Sequence, residues 1–318
     1  MNRNEAIDLV RSICPAEADI IIPQLLPSAR ISLRDAGASE ETQSHFGGLP
    51  SAPEGTRWPY WDSTEVIQRM LNRFQARQAK HPNELTERVI TGLKSDISRN
   101  PTPLAFVAQI DLADVQGMGL DGSLPKSGSL LFFYDPIHGG FGFDPAARGS
   151  SAVLYVPESA PVKAMTPPSK LPADWRYKHA PITFRHEWTI PLVIREDEFQ
   201  LNCWEGHYKD LWDALVGPVW EKLFHRLMGH PVEVQGDMRL QCQLAANGVY
   251  CGNPESYKDP RVESLRSGAG DWRLLLQLDS EDAMNWMWGD CGRVYYWIRR
   301  DDLAARDFDR VWCIMQCG

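Results

Sequence analysis

Several features that mark common function classes are missing from this chain. No stretch approaches the ~18 consecutive apolar residues of a membrane helix. The opening segment "MNRNEAIDLVRSICPAEADIIIPQLL" has neither a sustained apolar core nor a cleavage signal. Neither a membrane partner nor a secretory leader is expected. Positive charge is in short supply: 33 basic residues face 42 acidic ones, for a formal charge of −9. That balance disfavours a nucleic-acid partner, since phosphate neutralisation needs a concentrated basic surface. The 7 cysteines are scattered and odd in number. They fit reduced, buried thiols in a cytoplasmic protein better than a disulfide framework.

Motifs for known chemistry are missing as well. The sequence has no H-E-x-x-H array, G-x-S-x-G elbow, P-loop or dinucleotide fingerprint, so no cofactor and no metal are expected. "GGFGF" at 139–143 lacks the lysine that a phosphate cradle needs.

What remains is a globular composition: 318 residues, 43% hydrophobic and 24% charged, with 24 glycines and 23 prolines that break elements often. Ala6–Ile13 predicts a short helix ending near Pro15. Val66, Ile67, Met70, Leu71 and Phe74 repeat at helical spacing, with Thr64 as the expected cap. "PLAFVAQIDL", "SLLFFYD", "SAVLYV" and "ITFRHEWTIPLV" are strand candidates. A proline-rich connector covers 157–172. Leu211, Leu215, Val219, Leu223 and Leu227 predict helix over 208–228, started afresh or kinked at Pro218.

"FVAQIDL" at 106–112 has the form of "LLLQLDS" at 274–280, so Gln109 matches Gln277 and Asp111 matches Asp279. Each is followed by a turn and a glycine-led aromatic strand, "GSLLFFYD" and "GRVYYWI". "GGLP" at 47–50 is a weaker match to "MGHP" at 228–231. The expectation is an internal duplication within an α+β fold, with mainly antiparallel sheets and packed flanking helices.

The ordered pieces "HFGGLP", "PLAFVAQIDL", "LPKSGSLLFFY", "GHPVEVQGDM", "WRLLLQLDS", "WGDCGRVYYWI" and "RDDLAARDFDRVWCIMQC" resemble the YwqG-like family, a bacterial domain of unknown function. The likeness runs over roughly residues 40–317. It implies a duplicated mixed fold and supplies no reaction, cofactor or catalytic residue. Through relatives beside bacterial toxin and antitoxin systems it implies an interaction or immunity role. The domain reading is a helical extension over 1–40 and a YwqG-like domain over 41–318, with related strand units near 103–135 and 272–298.

Asp237, Asp279 and Asp290 are the carboxylates that could share a proton or bind a hard cation if folding brought them together. Gln235 lies two residues from Asp237, as Gln277 does from Asp279, so each pair shares a face in extended chain. His230 is a base that could join Asp237. Trp286 and Trp288 share one face in extended chain and could line a ligand pocket, although a core or loop anchor is the more usual role of such a pair. The leading expectation is a binding or protein-interaction protein, with toxin neutralisation as one form. The alternatives are a carboxylate-based or metal-assisted hydrolase and a small-ligand sensor.

Overall fold

The computed structural model describes residues 1–34, 43–195, 200–218 and 223–318. Its main sheet is built from β1 (Leu26–Leu33), β2 (His45–Phe46), β3 (Ala105–Asp111), β4 (Ser129–Tyr134) and β5 (Ser151–Val156). It continues with β6 (Ala180–Thr189), β7 (Arg226–Leu227), β8 (Trp272–Asp279), β9 (Arg293–Arg299) and β10 (Trp312–Gln316). The spatial order is β10-β9-β8-β7-β1-β6-β2-β3-β4-β5, and neighbours are antiparallel throughout. Each of the four strand candidates from the sequence supplies a strand to it, although "ITFRHEWTIPLV" leaves the sheet after Thr189 and its Val193 pairs in a separate two-stranded sheet. The proline-rich 157–172 connector joins β5 to β6 of this same sheet, and its Val162–Ala164 pairs with Ser51–Pro53.

β4 and β9 are nearly continuous apolar runs because both of their faces are covered. The first wing of the sheet (β2 to β5) and the second (β7 to β10) turn towards each other. Phe132 of β4 meets Tyr296 of β9 edge to face at 5.1 Å, and the Tyr296 hydroxyl donates to the Phe133 carbonyl at 3.2 Å. The largest core cluster fills the space between the wings. Outside the second wing, Trp272, Trp297 and Trp312 pack against helix α5 (Arg239–Ala246) through Met238, Cys242 and Leu244.

The sequence reading makes residues 1–40 a helical extension. Of these, the described residues 1–34 contribute α1 (Arg3–Ile13), closed by an Asn2–Glu5 capping box, and then β1, which pairs with β6 and β7 in the middle of the sheet. Helix α1 packs on α4 (Gly206–Leu215) through Ala6, Val10, Leu211 and Trp212. Helices α2 (Thr64–Lys80) and α3 (Glu84–Ile97) form a hairpin over a small cluster of their own: Ile67, Leu71, Ile90 and Leu93.

Two local expectations are corrected. Ser63, not Thr64, is the N-cap residue of α2, and the Thr64 amide is taken up by Asp62. Helix does not run to residue 228: α4 ends at Leu215, Gly217 takes φ +100°, and Arg226–Leu227 are drawn into strand pairing with β1 and β8. Val219 lies outside the described residues.

Candidate functional site

A cleft of about 720 Å³ opens on the outer face of the second wing. Trp272 and Leu274 of β8 and Trp297 of β9 form part of its lining. The paired segments Val193–Arg195 and Gln200–Asn202 border it on one side, where Val193, Arg195 and Trp204 contribute. The loop from Gly229 to Arg239 closes the other side. This loop leaves β7 through two residues in left-handed backbone, Met228 (φ +61°) and Gly229 (φ +79°), and turns again at Gly236 (φ +100°).

Four ionisable groups of that loop, His230, Glu233, Asp237 and Arg239, line the cleft. His230 approaches the Gln24 carbonyl through Nε2 at 2.7 Å. A carbonyl only accepts, so Nε2 carries the proton and Nδ1 is the acceptor. Burial, with the charges of Arg239, Arg226 and Arg273, pushes this imidazole down to about 4. Burial and the neighbouring Asp237 push the Glu233 carboxyl up to about 7, against Arg239 and Arg226. Burial would raise Asp237 also, but its bonds from Arg239 outweigh it and hold the carboxyl below its usual range. Arg239 grips Asp237 as a fork, with Nε to Oδ1 at 3.0 Å and Nη2 to Oδ2 at 2.7 Å. Arg273, on β8, donates Nη1 to the carbonyls of Gly270 (2.6 Å) and Trp272 (3.0 Å).

A buried charged seam lies next to the cleft. Glu187 of β6 sits 2.9 Å from Arg30 Nη2 and 3.1 Å from Arg226 Nη2. The Arg226 Nη1 donates to the His230 carbonyl at 2.6 Å, tying the seam to the cleft loop. Burial brings the Arg226 guanidinium down to about 10, although Glu187 opposes the shift. Arg30, Arg226 and Arg293 all sit over the Phe224 ring, 4.4, 5.6 and 5.7 Å from its centre.

The residues singled out in the sequence are distributed unequally around this site. His230 and Asp237 line the same cleft. Gln235 is exposed beside them, and its amide and that of Val234 both donate to Gln316 Oε1. Gln277 is fully buried: Oε1 accepts from the Val232 amide at 2.8 Å, and Nε2 donates to the Phe224 carbonyl at 2.6 Å. It holds the start of the cleft loop and does not line the cleft.

Asp279 is buried against Arg293 at 3.0 Å, takes the Phe224 amide at 3.0 Å, and its own amide donates to His225 Nδ1. Asp290 is exposed in the turn before β9, where its carbonyl accepts from the Gly318 amide. Neither Asp279 nor Asp290 lines the cleft that holds Asp237. Trp286 and Trp288 are buried, ring centres 5.5 Å apart, packed among Phe46, Tyr134 and Tyr177. Among the described residues, no group of three or more His, Cys, Asp or Glu side chains is placed to hold a metal ion. No helix among them is long and apolar enough to cross a membrane.

Glu233, Arg239 and Arg273 were not anticipated. Glu233 did leave a trace in "HPVEVQG", as an acid set between two valines in an apolar run. The arginines left none, because their place in the cleft depends on how β8 and α5 meet.

A mainly antiparallel sheet with flanking helices and a charged cleft on one wing defines a mixed α/β protein. The chain belongs to the family described as "Domain of unknown function (DUF1963)", the YwqG-like family, whose model matches residues 44–317. No curated protein matches it.

Proposed function

We propose that this protein binds a small polar ligand in the cleft lined by His230, Glu233, Asp237, Arg239 and Arg273. The observation that carries the reading is the cleft itself. At about 720 Å³ it falls within the range of small-molecule sites, and it gathers charged side chains beside tryptophans. Val234 is exposed on its wall, so Val234→Trp fills the cleft without disturbing the core. A library of charged metabolites screened by thermal shift should contain compounds that stabilise the native chain and leave V234W unmoved. Hits that stabilise V234W equally would place binding elsewhere and sink the proposal.

Acid–base chemistry is a second reading, favoured by the opposite shifts of Glu233 and Asp237 within one cleft. It moves the hydrolase expectation from Asp279 and Asp290 to this pair. Turnover that survives Glu233→Gln would exclude it. The protein-partner reading, toxin neutralisation included, draws on exposed aromatic hot spots. Of the aromatics in "WPYWD", "NCWEGHYKDLW" and "MNWMW", Trp58, Trp61, Trp212, Trp286 and Trp288 are buried, while Tyr60 and Trp204 are exposed and support it.

Internal duplication is part of the same proposal, as the origin of the scaffold. Gln109 makes the bonds that Gln277 makes, with Oε1 accepting from the Ser51 amide and Nε2 donating to the Gln43 carbonyl. Irregular pairing occurs between Phe106 and Ala108 in one copy and between Leu274 and Leu276 in the other. Both features support a common origin. The charged cleft would then be a specialisation of the second copy.

A further inference from the structure

We propose that the ligand enters this cleft by an anionic headgroup, a carboxylate or a phosphate, held by Arg273 and Arg239. The inference rests on the cleft being a ligand site and adds the chemical class that it takes.

Among the described residues, the charges around the cleft do not cancel. Asp237 is already occupied by the Nε and Nη2 of Arg239, a fork that leaves Nη1 outside it. Arg273 has no carboxylate within ion-pair distance among the described residues. Its guanidinium is instead fixed by two backbone carbonyls through Nη1 alone, which leaves Nε and Nη2 for a ligand. A guanidinium held in place before binding loses little freedom when it forks onto an oxyanion. His230 adds no negative charge, since its ring is neutral and committed to Gln24. An excess of fixed cations in a chain of formal charge −9 makes the cleft a local focus for anions.

Glu233 sets the pH dependence. It faces Asp237 and Arg239 from its own loop and the start of α5, and Arg226 from β7. Tyr295 of β9, Tyr208 of α4 and Cys203 also lie within its field. As a neutral acid it adds no repulsion towards an anion and can donate to it. Once ionised it repels the anion. Anion binding therefore takes up a proton and weakens as pH rises through about 7.

The test uses the full chain and four probes that share one aromatic body: benzoate, phenyl phosphate, benzylamine and benzyl alcohol, titrated at millimolar concentration and followed by NMR. Either or both anions should bind at least about tenfold more tightly than the amine and the alcohol, the increment expected for a charge-assisted contact. The two anions compared with each other separate carboxylate from phosphate. Arg273→Gln should weaken the better anion by about tenfold or more, and Arg273→Lys should restore part of the loss. Where benzoate binds, its affinity should fall between roughly pH 6 and pH 8, and Glu233→Gln should flatten that fall.

Equal or tighter binding of benzylamine or benzyl alcohol to the native chain, but not to V234W, would overturn the anionic class and leave the cleft reading standing. So would an anion affinity that Arg273→Gln leaves unchanged while V234W abolishes it. Binding that persists in V234W, or no binding by any probe, would overturn the cleft reading itself. A near-UV spectrum of each variant matching the native one establishes that the fold is intact.

Discussion

Glu187 lies between Arg30 and Arg226 with its side chain fully enclosed, and Arg185 approaches from the surface at 3.8 Å. Removing that single negative charge would leave two guanidiniums buried without compensation. Glu187→Gln should therefore cost about 3–5 kcal/mol of stability, read as a fall in the urea midpoint. A loss of under about 1 kcal/mol would mean that water reaches the seam. Two cleft residues predict opposite limbs of a pH–stability curve. Glu233 has its folded value raised from 4.5 to about 7, so its contribution is complete below 4.5 and is lost as pH rises through 7. His230 has its value lowered from 6.5 to about 4, so its contribution is present above 6.5 and is lost as pH falls through 4. Denaturant midpoints from about pH 4 to pH 8 should show Glu233→Gln flattening only the alkaline limb. Individual side chains were the least legible part of the sequence. Asp237 and His230 could be named as candidates, whereas the proposed role of Arg273 rests on its having no carboxylate beside it among the described residues, a property of the folded neighbourhood.

The turn that follows β2 and the turn that follows β7 carry much of the architecture. Gly47 (φ +56°) and Gly48 (φ +72°) pass so close to Tyr177–His179 that a Cβ on Gly47 would overlap the Lys178 carbonyl oxygen. Gly47→Ala should cost about 1–3 kcal/mol through the left-handed backbone, with the overlap adding to it. Calorimetric unfolding measures this, and an unchanged melting temperature would show that the 177–179 segment yields instead. The strands themselves were legible because apolar runs such as "SLLFFY" have to be covered on both faces. Arg226–Leu227 escaped notice because a two-residue strand has no period to detect. The helical spacing of Leu223 and Leu227 was then misleading, since partners far along the chain decide the outcome.

The molecule is not uniformly held. The sheet wings share one large core, while the α2–α3 hairpin rests on four buried residues of its own. Native-state hydrogen exchange should find the amides of Ile67–Leu71 and Ile90–Leu93 opening before those of β3, β4, β8 and β9. Simultaneous exchange of all six would mean that the hairpin belongs to the global unit.

The position of β1 has a consequence for biosynthesis. Ser28 donates from its hydroxyl to the carbonyl of Leu227, a residue 199 positions later. At about 5–20 residues per second, β1 leaves the ribosome roughly 10–40 s before that partner has been made. Its longer partner, β6, is complete only at Thr189, so through most of that interval β1 has neither neighbour to pair with. A ribosome-bound chain ending between β1 and β6 is therefore predicted to aggregate more readily than the finished protein.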